Sequence, residues 1–276
     1  MWKYAALLSY EGTFYCGWQK QRGSGAAGLP SIQGTIEQAI AQITKEEPTI
    51  VGSGRTDAGV HAVGQVAHFI LRAKVWEPEI LLRGLNGKLP DSIRVLAVAP
   101  VPLEFHAQRS AEKKQYSYYF EQGPCHIPHL LHYSRWIRKR LDLRAIGEAL
   151  GYLQGEHDFK AFQASGSKPG STVRRILEAD VSLQPVVFPS IGFSADLRES
   201  HQVGLIRIRV LGTGFLKQMV RGIAGTLLQI GEGRRPPTCI LEILESRRRD
   251  SVGPTAPARA LWLERVWYPS HFGLPW

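Results

Sequence analysis

The chain has 276 residues, 43% of them hydrophobic, which leaves room for one large domain or two smaller ones at roughly 100–200 residues each and excludes a wholly disordered polymer. Lysine and arginine total 34 against 24 acidic residues; the resulting +10 favours a polyanionic partner, nucleic acid ahead of an anionic membrane surface, although a merely basic protein would show it too. Cys16, Cys125 and Cys239 are far apart, odd in number and without CxxC spacing, so neither a disulfide framework nor a zinc site is expected and a reducing compartment fits. The apolar run 5–8 is too short for a signal-peptide core, and no stretch approaches the roughly 18 apolar residues that span a bilayer. The expectation is a cytoplasmic protein with no membrane association.

Residues 2–10 read as a strand, followed by a polar loop over 20–30. Ser31 is placed to cap a helix whose Ile32, Ile36, Ala39, Ile40 and Ile43 share one face. A short strand at 49–51 leads into Gly52-Ser53-Gly54-Arg55-Thr56-Asp57-Ala58-Gly59-Val60-His61. Then come a strand at 64–70, a helix at 77–85 and a strand at 93–99, with the proline-bearing segment 98–102 as a boundary between halves. The second half reads as a tyrosine-rich strand at 115–120, a helix at 143–153, strands near 173–181 and 205–210, a helix at 217–230, a short helix at 240–244 and a last strand at 261–267. Strands and helices mix in a similar order in both halves. The expected class is therefore α+β: two similar α/β subdomains, 1–104 and 105–276, with a mostly antiparallel sheet.

Four segments could carry chemistry. In 52–61, three glycines surround Asp57, flanked by Arg55 and His61; glycine allows sharp turns and close approach, although an ordinary turn also favours Gly and Asp. A literal GxGxxG at Gly23, Gly25 and Gly28 follows polar residues and lacks the strand–turn–helix context of a dinucleotide site, so a surface loop is the better reading. The strand 113–120 combines Lys113 and Lys114 with Tyr116, Tyr118, Tyr119 and Phe120; aromatics stack on unpaired bases, and they also fill cores. Lys217 and Arg221 are four apart, as on one helix face. Further basic clusters stand at 138–140, 174–175, 234–235 and 247–249, each alone compatible with a wet surface. The nine histidines show no metal-ligand spacing, so no metal is expected.

Together these segments resemble the bacterial tRNA pseudouridine synthase A family nearly end to end. Gly17-Trp18-Gln19 with Ser31-Ile32-Gln33 is similar to its opening, and residues 54–62 match its catalytic loop throughout. Lys114-Gln115-Tyr116-Ser117-Tyr118, Asp158-Phe159-x-x-Phe162, Phe215-Leu216 with Met219-Val220-Arg221, and Pro254-Thr255-Ala256-Pro257 match in turn. Two departures stand out: Gln108-Arg109 follows Phe105-His106-Ala107 where the family has arginine and then an aromatic, and the 23–30 loop is longer.

The resemblance implies one mostly antiparallel sheet with helices packed on it, an active site in a central cleft, a homodimer, and isomerisation of uridine to pseudouridine at positions 38, 39 and 40 of the tRNA anticodon stem-loop, with no cofactor. It implies Asp57 as the nucleophile; attack on the base, attack on the sugar and loss of a ribose proton all stay open. Because burial disfavours an ionised carboxylate and a nearby cation favours it, Arg221 is the expected ion-pair partner. Tyr116 is expected to stack on the target base and assist proton removal, Arg55 to support a flipped nucleotide, and His61 either to contact RNA or to stabilise its own turn. A synthase for another RNA, a non-catalytic RNA-binding protein of the same fold and a nucleotide-cofactor enzyme are the rival readings. An A-form stem has a major groove too narrow to read, so recognition should run through shape and phosphates. Binding of tRNA should then weaken steeply as salt rises, seen as a linear fall of log affinity with log salt; an affinity insensitive to salt would contradict this.

Overall fold

The computed structural model describes residues 1–20, 28–166, 170–185 and 204–276. In chain order the strands and helices are β1 (Trp2–Tyr10), α1 (Ile32–Thr44), β2 (Val51–Gly52), β3 (His61–Leu71), α2 (Pro78–Asn86), β4 (Ile93–Val101), β5 (Lys113–Gln122), β6 (Arg135–Ile137), α3 (Leu143–Leu153), β7 (Gly155–Asp158), β8 (Val173–Pro185), β9 (Gly204–Gly212), α4 (Met219–Gly231), α5 (Cys239–Ser246) and β10 (Leu261–Trp267). They fall into two compact units, residues 1–115 with 262–276, and residues 116–261. This division differs from the 1–104 and 105–276 halves read from the sequence, because the end of the chain returns to the first unit.

In the first unit the order is β4-β1-β3-β10, with β2 on β3. β1 pairs antiparallel with β3 from Trp2↔Leu71 to Tyr10↔Ala62, and with β4 from Lys3↔Val101 to Tyr10↔Ile93. Residues 98–101 are therefore strand and not a linker. Pro100 is tolerated there because β4 lies at the end of the order, where a missing donor is harmless. β10 runs parallel to β3 through Trp262↔His61 and Leu263↔Ala62. Helix α1 forms as the sequence predicts: the Ser31 hydroxyl accepts from Gly34 N–H, and Ile32, Ile36, Ala39 and Ile40 are buried. Such a cap contributes about 1 kcal/mol.

In the second unit the order is β5-β9-β8-β7, with β6 parallel to β5; β7/β8 and β8/β9 are antiparallel. Helix α3 is capped by the Asp142 carboxylate, which accepts from Arg144 and Ala145 N–H, and it buries Ile146, Ala149, Leu150 and Leu153. Gly231 at the end of α4 lies so near this helix that a β-carbon there would stand 2.7 Å from the Ile146 side chain. The class is α+β with mostly antiparallel pairing, as expected. The three cysteines are free thiols. Among the described residues no helix is long and apolar enough to cross a membrane. Strands β6 and β7 were not foreseen; at three and four residues they are too short to show a period.

His68 on β3 is buried, 7% exposed, and its Nδ1 accepts from Ala107 N–H at 3.1 Å. Burial, with the charges of His106, Lys3 and Arg109 adding to it, pushes its pKa down to about 4. The unfolded chain thus takes up a proton near pH 6.5 that the folded chain refuses, so stability from this position is full above 6.5 and declines as pH falls toward 4. His68→Asn keeps an acceptor without the titration. Its urea midpoint should fall less steeply than that of the native chain between pH 6.5 and 4.5, and identical slopes would contradict the assignment.

Candidate active site

Asp57, Arg55 and His61 belong to the first unit, and Tyr116 and Arg221 to the second. Asp57 is half-buried and opens a tight turn closed by Val60 N–H on Asp57 O at 3.1 Å, with Gly59 at φ +78°. The backbone of this turn is gripped from several directions. Trp18 N–H donates to Thr56 O at 3.0 Å, while Gly17 O and Trp18 O accept from Ile32 and Gln33 at the start of α1. Gly17 itself has φ +102°, and a β-carbon on it would lie 2.7 Å from Thr56 O and 3.0 Å from the Asp57 carbonyl carbon. Gly12 presses on the far end of the turn, where a β-carbon would stand 2.0 Å from Val60 O. Only glycine satisfies approaches this close, and at Gly17 the left-handed backbone demands it as well.

Side chains complete the hold. Thr56 is buried with its hydroxyl 2.9 Å from the Tyr10 hydroxyl, and Gln65 donates to Tyr10 Oη at 3.4 Å and to Gly54 O at 2.9 Å. The Ser53 hydroxyl donates to Gln65 Oε1 at 2.6 Å, and Lys114 Nζ to Ser53 O at 2.5 Å. Burial pushes the Tyr10 pKa up to about 12, so its hydroxyl keeps its proton near neutral pH. His61 is fully buried, accepts Gly12 N–H on Nδ1 at 3.1 Å and stacks on Trp262 at 4.4 Å. These contacts tie His61 to the segment at Gly12 that meets the turn. Arg55 is exposed and lines a cavity of about 230 Å³ together with Trp18, Gln19 and Gln108, so the position that departs from the family's arginine shares this cavity.

In the second unit Tyr116 is 8% exposed, and its ring meets Phe215 edge-on at 5.0 Å. Tyr118 and Phe120, on the same face of β5, are fully buried and belong to the core. Arg221 lies half-buried in the first turn of α4; its Nε donates to Ala256 O at 2.8 Å, and its own carbonyl accepts from Ala256 N–H at 3.1 Å. The loop 253–257 can lie this close because Gly225 has no side chain: a β-carbon would be 1.7 Å from Pro254 O. The expected shared helix face of Lys217 and Arg221 is not formed. Gln218 takes φ +61°, and the helix starts at Met219, leaving exposed Lys217 ahead of it. A non-glycine residue at positive φ is uncommon and costs on the order of 1 kcal/mol; here it lets the segment turn sharply before α4.

The Asp158-Phe159-x-x-Phe162 motif is architectural. Both phenylalanines are fully buried, and Phe162 lies against Gly222 of α4. The Thr172 hydroxyl, then Lys160 N–H and Arg247, hold the Asp158 carboxyl below its ordinary pKa against a burial effect of opposite sign. Several basic clusters also carry their own carboxylates: Arg247 pairs with Asp158, Arg248 with Asp250 and Arg234 with Glu232, whereas 138–140 are exposed. Gly23 and Gly25 of the GxGxxG match lie outside the described residues; Gly28 has open space around it. No three His, Cys, Asp or Glu residues among those described come together to hold a metal. Tyr10, Gly12, Gln65 and Ala256 gave no sign of their roles in the sequence, since each acts through a backbone group or a distant partner.

The chain is thus an α+β protein that carries a carboxylate on a glycine-held turn in its first unit and an arginine fixed on a helix in its second. The family model for tRNA pseudouridine synthase matches residues 6–108 and 149–269. The tRNA pseudouridine synthase A of Moorella thermoacetica is 40% identical over 261 residues, 95% of this chain and 97% of its own. Those of Bdellovibrio bacteriovorus (37% over 267 residues, 95% and 93%) and Blochmanniella pennsylvanica (37% over 276 residues, 100% and 96%) are similarly close. The chain belongs to the tRNA pseudouridine synthase A family, and as a pseudouridine synthase it is an isomerase.

The network behind the turn can be tested. Gln65→Leu strands Gly54 O and the Ser53 hydroxyl and should cost roughly 1–3 kcal/mol, whereas Tyr10→Phe removes a net bond of about 1 kcal/mol. Thermal unfolding should therefore rank native above Tyr10→Phe above Gln65→Leu; equal midpoints for all three would refute the network.

Proposed function

We propose that this chain isomerises uridine to pseudouridine at positions 38, 39 and 40 of the tRNA anticodon stem-loop, with Asp57 as the nucleophile. The observation that carries the proposal is the turn itself: neighbouring backbone and side chains hold the half-buried Asp57 in place. The reaction breaks the bond from uracil N1 to ribose C1′ and forms one from C5 to C1′. The C5 proton leaves and N1 gains one, so nothing is oxidised or reduced and no co-reactant is consumed. A carboxylate beside the glycosidic bond serves every route to that outcome, provided water is excluded.

Arg221 is the ion-pair partner in this reading. Its anchoring to Ala256 O supports the role, since a guanidinium held at Nε is fixed in direction. Tyr116 stacks on the uracil and assists removal of the C5 proton. Its ring is braced edge-on by Phe215, which suits a fixed platform. Arg55, exposed beside the turn, supports the nucleotide as it leaves the stem, an extrusion that costs a few kcal/mol. The protein acts as a homodimer on tRNA in the cytoplasm, an assignment drawn from the family.

Tritium release from tRNA labelled at uridine C5 tests the reading. The native chain should release label, Asp57→Ala should release none above background, and Arg221→Lys should lose at least about tenfold in kcat because one point charge replaces a two-pronged donor. Native activity matched by Asp57→Ala would sink the proposal.

A further inference from the structure

The cavity of about 230 Å³ that Gly54 and Arg55 share with Trp18 has a wall whose hydrogen-bonding pattern is fixed by its neighbours. Gln33, buried in the first turn of α1, has every amide position in use. Its Oε1 accepts from Lys20 N–H at 3.0 Å, and its Nε2 donates to Ile50 O at 3.2 Å and to Glu37 Oε1 at 2.9 Å. A backbone donor on one side and a backbone acceptor on the other leave this amide one orientation. Gln19 meets Gln33 Oε1 at 2.6 Å, so the atom it turns there must be its Nε2. Gln19 is exposed where it lines the cavity, and its Oε1 and second Nε2 hydrogen make no further bond among the described residues.

An acceptor and a donor side by side select the ligand. A phosphate offers acceptors only and would set its charge against the Gln19 oxygen, whereas a nucleobase edge carries groups of both kinds. Adenine is the base that a glutamine amide matches in two-pronged fashion. The amide oxygen and N–H offer its amino group and ring nitrogen the same partners that O4 and N3–H of uracil offer in a base pair. The rest of the lining suits a planar ring. The Trp18 indole is held against Gly52, where a β-carbon would stand 2.6 Å from Cε2, and Arg55 brings a flat guanidinium of the kind that stacks on bases. Asp57 is not among the lining residues, so a base seated here is not the uridine under attack.

Extruding the target uridine from a stem leaves the base it was paired with unmatched. We propose that the cavity receives this orphaned adenine and that Gln19 pairs with its edge in place of the uridine, offsetting part of the cost of extrusion. Gln19 is then a substrate-binding residue that touches a base other than the reacting one. The proposal rests on the uridine-isomerising reading, which supplies both the RNA and the extrusion.

The test uses two stem-loop RNAs with one target uridine, tritiated at C5, that faces either adenine or an abasic site. Equilibrium binding and single-turnover tritium release are measured for the native chain and for Gln19→Leu. With adenine opposite, Gln19→Leu should bind roughly tenfold more weakly than the native chain. With the abasic site opposite, the two proteins should bind alike. A loss confined to one RNA separates a missing base contact from a disturbed fold, which would weaken both. The variant should also keep the native slope of log affinity against log salt, because no phosphate contact is lost; a slope reduced by about one would assign the position to a phosphate and overturn the proposal. Equal losses on both RNAs, or no loss on either, would overturn it too, while tritium release by the native chain left the isomerase reading intact. An adenine-dependent loss without release by the native chain from either RNA would keep the base site and sink the isomerase reading instead.

Discussion

The approach of Gly17 to the Asp57 turn is the contact on which the rest of the first unit depends. One residue with φ +102° touches the backbone of the turn on one side and, through its carbonyl, the first N–H of α1 on the other. Helix and turn are thereby fixed to each other without any side chain between them. Gly12 repeats the device at Val60. Such contacts tolerate little drift, because a backbone atom cannot rotate aside as a side chain can, and catalytic groups need placement to a fraction of an ångström. The hydrogen-bonded network of Tyr10, Thr56, Gln65 and Ser53 then saturates the polar groups that the close approach buries.

The second unit solves a similar problem by other means. Arg221 is held by a loop laid along α4, and Gly225 makes room for that loop. The strained Gln218 ends the incoming segment just before the helix, so the cation falls in the first turn and not further along. Phe162 lies against Gly222 of the same helix. What reads in the sequence as a string of separate motifs is largely a support structure for the two segments that carry Asp57 and Arg221.

This explains what was legible in advance. Helices α1 and α3 and strand β10 were readable because capping residues and apolar spacing agree there, and α3 even buries the four residues its pattern picks out. Asp57 stood out through its glycines and its resemblance to a known loop. The start of α4 was misread because nothing in Gln218 signals a left-handed backbone, so Lys217 was placed on a helix it never joins. Segment 98–102 looked like a break because prolines usually punctuate, yet an edge strand accepts them. The surroundings of His61 were not legible in the sequence, since its burial and a donor 49 residues away come from the fold.

The most direct test of this account is Gly17→Ala, studied by single-turnover tritium release at saturating enzyme together with tRNA affinity. If Gly17 holds the Asp57 turn in its working geometry, the single-turnover rate should fall by at least about tenfold while tRNA affinity and the circular dichroism spectrum stay near native. A native rate in a folded Gly17→Ala variant would show that the turn does not depend on this contact, and the account would fail at its centre.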